Sequence, residues 1–190
     1  MSVDLPAFLR IQARANRLSN HRLHTAMQVL SDTDFHATRT SFFPSLALTL
    51  DHILEVDLYY IGALHGEPDL VSLWDRHQPS ATLAALAPRQ AASDERLIAF
   101  CDGLDAAACA GEVQMPRQGG RIQRDRVVHV LAHLFNHQTH HRGQAHAMLS
   151  GTALAPPQLD EFMMPSEGHF RTAEMAALGW REEDVYGPYN

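Results

Sequence analysis

Six of the thirteen histidines in this chain crowd into one stretch, Val127 to Leu149: His129, His133, His137, His140, His141 and His146. Neutral imidazole is the most versatile nitrogen ligand a protein has, so the spacing of these rings decides what they can do. His137 and His141 stand four residues apart, the separation that places two side chains one above the other on a helical face. The stretch has no proline and one glycine, Gly143. Its apolar residues recur at Val127, Val130, Leu131, Leu134 and Phe135, which reads as a helix. At roughly 100° per residue, His133, His137, His140, His141 and Gln144 fall within about 100° of one another, and His146 points to the opposite side. A lone HxxxH is common by accident, and a single helical histidine is more often solvated or hydrogen-bonded than ligating. Here three histidines at steps of four share a face with Val130 and Leu134. Leaving several imidazoles unpaired beside a core is costly, so the favoured reading is a metal site.

A third ligand must come from another element. From Ser41 to Leu64 the chain is apolar almost all round, the pattern of a helix buried on most sides. His52 lies within it, between Leu48 at i−4 and Val56 at i+4, with Tyr59 two turns on. Taken alone, His52 reads as a core histidine bonded to a carbonyl. Opposite an HxxxH it becomes the missing ligand, and three histidines from two helices, with positions left open, is the layout of a catalytic metal site. Glu55, on the edge of the same face, reads as a solvated carboxylate or as an acceptor for a ligand imidazole. Tyr59 and His133 are counted as neighbours of the site.

Around these residues, 190 residues suit a single domain spanning 1–190. A hydrophobic content of 45% with 19% charged residues describes an ordinary globular chain. A net charge of −7 argues against nucleic acid, whose phosphates need a basic surface. No apolar run approaches the roughly 20 residues of a membrane span, and the N-terminus lacks a signal-peptide pattern, so a cytoplasmic protein is expected. Cys101 and Cys109 read as buried thiols.

Turn chemistry divides the chain into helices. Asp4 and Pro6 mark a first start, followed by Phe8, Ile11, Ala15 and Leu18 and, with a phase shift, Leu23, Met27 and Leu30. The run 31–35 reads as a polar break. Ser41 opens the second helix with Pro44 in its first turn, and Gly66 and Pro68 close it. Residues 70–80 read as an irregular connection or a short helical turn. A third helix follows Pro79 and Ser80, interrupted or restarted near Pro88. The stretch from Gly111 to Asp125 is either a short hairpin or a loop. Asp125 is expected to cap the histidine helix, which Gly151, Pro156 and Pro157 end. The segment 156–164 is expected as a loop over the bundle, and Ser166 to Asp184 contains a short C-terminal helix. The fold expected is all-α: an up-down four-helix bundle with its site between facing helices.

Two segments together, HLFNHQTHHRGQ (His133 to Gln144) and SLALTLDHILEVDLYY (Ser45 to Tyr60), resemble the DinB family of damage-inducible metal-binding bundles. The resemblance spans nearly the whole chain in helix order and is most specific at HHRGQ. It implies a four-helix bundle, a homodimer, and one divalent transition metal (nickel, zinc or iron) held by His52, His137 and His141. Asp51 stands where this subgroup often has asparagine. Relatives that use small thiols imply a metal-dependent thiol S-transferase or hydrolase acting on a small electrophile. Arg142 would then bind the thiol's carboxylate or make a structural salt bridge. The alternative is a non-enzymatic stress-related protein whose ion is structural.

Overall fold

The computed structural model describes residues 4–160 and 164–187. In chain order the helices are α1 (Leu5–Met27), α2 (Asp32–His36), α3 (Leu46–Leu64), α4 (Leu73–Arg76), α5 (Leu83–Asp102), α6 (Ala106–Ala110), α7 (Val127–Leu149), α8 (Thr172–Leu178) and α9 (Glu182–Tyr186). Strands β1 (Glu112–Pro116) and β2 (Ile122–Arg126) form the hairpin before α7, with Val113 opposite Asp125. The all-α bundle, the hairpin and the C-terminal helical segment are all present. The last is two short helices, α8 and α9.

Caps explain most of the helix starts. Asp4 accepts from the Ala7 amide at 3.0 Å, and Thr82 accepts from Ala85 at 3.2 Å. The supposed polar break is itself a one-turn helix, α2, because Ser31 caps the Asp34 amide. Helix α3 begins later than Ser41. Ser45 provides the cap, to Leu48 at 3.1 Å, and Pro44 lies ahead of it in a turn whose carbonyl accepts from Arg39. Helix α5 runs through Pro88 without a break. Pro88 and Ala84, whose carbonyl loses its partner, both lie on the exposed face, where water can replace the lost bond. Asp125 is not the cap of α7. It sits in β2 and accepts from Gln123, while α7 starts with the Val127 amide donating to Gly111. Of the expected loop 156–164, residues 161–163 lie outside the described residues.

The order of directions follows from which residues meet. Arg14 pairs with Asp102, and Asn20 with Asp94, so α1 and α5 are antiparallel. His52 meets His141 and Tyr60 meets His133, so α3 and α7 are antiparallel too. Asp57 meets Gln90, and further along His65 meets Arg96, so α3 and α5 run parallel. The bundle is therefore up, down, down, up, not strictly alternating. A parallel neighbour requires a connection as long as the helix, roughly 30 Å for 20 residues. Residues 65–82, with α4 folded inside them, provide it; Asp51 fastens that connection by bonding His77 at 2.7 Å and the Ser80 amide at 3.0 Å.

The core has two apolar ends and a polar waist. Leu9, Ala13, Tyr59, Leu97, Cys101, Met115, Val130 and Leu134 pack at the hairpin end. Leu23, Met27, Leu46, Leu50, Ile53, Leu86, Met148 and Leu149 pack at the other. Cys101 and Cys109 are free and buried, and burial pushes the Cys101 thiol up to about 12.

Between these ends each long helix contributes polar side chains. Asp94 accepts from Asn16 and Asn20, Gln90 donates to Asp57 and Asp94, and Gln138 donates to Asp57. Arg142 donates to Asn16 at 2.6 Å and to Asn20 at 3.0 Å. Burial, then the charge of Asp94, pushes Asp57 up to about 8, and burial pushes Asp94 up to about 6. With Asp57 protonated at neutral pH, the waist holds one carboxylate and one guanidinium, a balanced pair.

Candidate metal centre

On the solvent side of that waist, α3 and α7 bring His52, His137 and His141 together. One ligand nitrogen from each lies within 4.8 Å of the others. His137 Nε2 and His52 Nε2 are 3.1 Å apart, and the rings of His137 and His141 are 4.4 Å apart. The i,i+4 step on α7 sets the second spacing; the antiparallel crossing of α3 sets the first.

The donor set suits a divalent transition metal. Two nitrogens about 2.0–2.1 Å from one ion, at the angles of octahedral or tetrahedral sites, stand roughly 2.9–3.4 Å apart. The observed 3.1 Å lies inside that range. The rings are also poorly satisfied by one another: His137 Nδ1 is buried without a partner. Burial first, then neighbouring imidazoles, lowers the His52 pKa to about 4 and that of His137 to about 3. Burial also lowers His141, with Gln144 opposing. All three rings are thus neutral near pH 7, as ligation requires.

Two neighbours orient the candidate ligands. Gln144 Oε1 accepts from His141 Nδ1 at 2.8 Å, and the Gln144 amide nitrogen lies 3.2 Å from His140 Nε2. With Nδ1–H so engaged, the lone pair of His141 is on Nε2, free for an ion. Phe43 lies over His52, ring centres 4.2 Å apart, and meets the edge of His141 at 5.6 Å. Sequence reasoning placed Gln144 on the right face without its role; the i+3 step from His141 was the available signal. Phe43 carried no such signal, since it precedes the helix and reaches the site through the turn around Pro44.

Replacing Gln144 with leucine should weaken metal binding by about 10–100-fold, the usual cost of losing such an orienting partner. Competition against a chelating dye at pH 7 reads this directly. A loss below about threefold would mean that something else holds His141.

The remaining residues expected near the site separate. His133 is exposed, its ring 5.0 Å from Tyr60 and 6.3 Å from His137, a neighbour outside the cluster. Glu55 is half-buried, its pKa raised by burial and by Asp51 and opposed by His77. Tyr59 is turned away: its hydroxyl donates to the Pro116 carbonyl at 2.6 Å and its ring stacks on Trp74, fastening the hairpin. Arg142 also faces away, into the polar waist, because the residue after His141 projects about 100° round the helix. His146 bonds the Pro157 carbonyl on the opposite side of α7, as its phase requires.

A four-helix bundle with three imidazoles gathered between two antiparallel helices defines the class: an α-helical protein with a candidate histidine metal centre. The chain belongs to the DinB family, whose model matches residues 2–173. It is similar to Protein DinB of Bacillus subtilis (strain 168), with 27% identity over 148 residues, covering 74% of this chain and 85% of that one. Among the described residues no helix is long and apolar enough to cross a membrane.

Proposed function

We propose that this protein is a metal-dependent transferase, using a low-molecular-weight thiol on a small electrophile, with hydrolysis by water as the variant. The observation that carries the reading is the exposure of the cluster: His52 and His137 are only partly buried, so one side of the three ligands faces solvent. A divalent ion bound there supplies Lewis acidity, which makes a thiol or a water nucleophilic at neutral pH.

The chain's own residues do the rest. His52, His137 and His141 bring no charge, so they leave an ion's attraction for thiolate undiminished. Gln144 keeps the His141 lone pair turned inward, and Phe43 shields one flank of the cluster from water. Phe42, 80% exposed, and Leu48, 47% exposed, give the rim an apolar surface for the body of an electrophile. Arg142, held by Asn16 and Asn20, takes no part in thiol recognition in this reading.

The second reading is an ion that serves structure alone. It is favoured by the position of the cluster, which ties α3 to α7 across the bundle.

Metal-loaded protein should accelerate conjugation of glutathione, bacillithiol or mycothiol to a soft electrophile, and both chelated protein and His141→Ala should lose that rate. If all three thiols fail and none perturbs the spectrum of a cobalt-substituted site, the transferase reading falls and the structural ion takes its place.

A further inference from the structure

Beyond the cluster, α3 and α7 keep facing each other toward the hairpin. His52, Val56 and Tyr60 fall at steps of four along one face of α3, and His141, His137 and His133 do the same on α7. The two rows run side by side in opposite directions: His52 meets His141 with ring centres 4.7 Å apart, and Tyr60 meets His133 at 5.0 Å. His133 lies 6.3 Å from His137, so the row on α7 leads from the cluster to Tyr60. Along α3, Tyr60 stands roughly 12 Å from His52, the rise of a little over two turns.

A cation stands at that far end. Arg117 follows β1, its place fixed by its amide donating to the Arg121 carbonyl at 2.7 Å. One terminal nitrogen donates to the Tyr60 hydroxyl oxygen at 3.2 Å, and Nε donates to Gln123 Oε1 at 3.2 Å. The guanidinium carbon lies 5.0 Å from the Tyr59 ring centre and 5.7 Å from that of Tyr60. Among the described residues no carboxylate is within ion-pair distance of Arg117, although the chain carries a net charge of −7. Asp125 bonds Gln123 instead.

The hairpin is fastened without this side chain, by the Tyr59 bond to Pro116 and by the buried Val113 and Met115. Neutral partners leave the charge of a half-buried guanidinium uncompensated, and its planar fork matches a carboxylate. The Tyr60 hydroxyl accepts from Arg117 and so keeps its own hydrogen to donate to the same anion.

We propose that Arg117 and Tyr60 bind the carboxylate of a thiol whose sulfur reaches an ion at the histidine cluster, which selects a thiol acid of tripeptide size. The inference rests on the transferase reading given above. Three extended residues span roughly 10 Å, which suits the separation of the two ends. Mercaptoacetate is too short to reach both. Of the three thiols named above, glutathione and bacillithiol carry carboxylates and mycothiol has none, so Arg117 favours the first two.

Cobalt-substituted protein tests both layers, because its absorption spectrum reports a sulfur arriving at the metal. The probes are 2-mercaptoethanol, mercaptoacetate, glutathione and glutathione diethyl ester. Glutathione should bind roughly tenfold tighter than its diester, the worth of a charge-assisted hydrogen bond. Arg117→Gln should bring that ratio to within about twofold of unity, and Tyr60→Phe should lower it about threefold. A role for Arg117 in hairpin anchoring alone would weaken acid and ester equally, so the ratio separates recognition from structure. Tyr60→Phe keeps the ring against His133 and carries the test if Arg117→Gln loosens the hairpin. Mercaptoacetate should be insensitive to either variant.

Equal affinity for glutathione and its diester, or a preference that survives both variants, overturns the proposal. With 2-mercaptoethanol still altering the cobalt spectrum, the transferase reading stands without it. If no thiol alters the spectrum, the transferase reading falls and this proposal falls with it.

Discussion

His137→Ala is expected to abolish divalent-metal binding at the candidate three-histidine site. The rings of the candidate ligands His52, His137 and His141 form a triangle, with centres 5.0, 4.7 and 4.4 Å apart, so His137 is one of three equivalent corners. Its loss leaves two imidazoles on different helices. Affinity should fall by more than the roughly 10–100-fold that removing an orienting partner costs. Elemental analysis after gel filtration should give near one ion per chain for the wild type and for His146→Ala, which bonds Pro157 on the far side of α7. Full occupancy in His137→Ala would sink the three-histidine assignment.

Acid should act in the same direction. The lowered values at His52 and His137 mean that protonation favours the unfolded, metal-free chain. The stability these groups contribute is present above about pH 6.5 and is lost as pH falls toward about 4 and then about 3. Metal release should follow that window.

The second large effect is structural. Arg142→Met should destabilise the fold by about 2–4 kcal/mol, because it leaves the buried amide oxygens of Asn16 and Asn20 without their charged donor and Asp94 without a nearby cation. For a chain of this size that is a fall of roughly 10 °C in Tm. Asp94→Asn in the same background should recover part of it, because both charges are then gone. Metal stoichiometry of the folded variant should stay at the wild-type value, since Arg142 faces away from the cluster. An unfolding free energy from urea titration within about 0.5 kcal/mol of wild type, the range of neutral surface changes, would show that the polar waist is not held by this charge. The waist also has its own pH dependence. Asp57 is raised to about 8, so the stability from its protonated form is lost as pH rises from the ordinary carboxylate range through about 8.

Much of the site was legible because its geometry is local. HxxxH needs nothing but a helix to align its rings, and the histidine stretch has the apolar period and the lack of proline that make one. His52 could be singled out because an imidazole on an apolar stripe must be compensated by something. The helices themselves were visible through hydroxyl and carboxylate caps and glycine stops, although Ser45 rather than Ser41 proved to be the cap of α3, and Pro88 did not break α5.

What the sequence determined by itself is therefore the all-α class, the four long helices and the three candidate ligands, all set by periodicity within one element. Tertiary structure decided which helices are neighbours. It made α3 and α5 parallel, a choice that depends on how residues 65–82 cross the bundle and that no helical period records. It turned Arg142 and Tyr59 away from the cluster, toward Asn16 and Pro116, partners that are 126 and 57 residues distant in sequence. It brought Phe43 over His52 and packed Trp180 against the hairpin-end core. Each of these is a contact between elements, whose energy comes from burying surface and matching hydrogen bonds across the bundle, and residue spacing along one chain carries no measure of that.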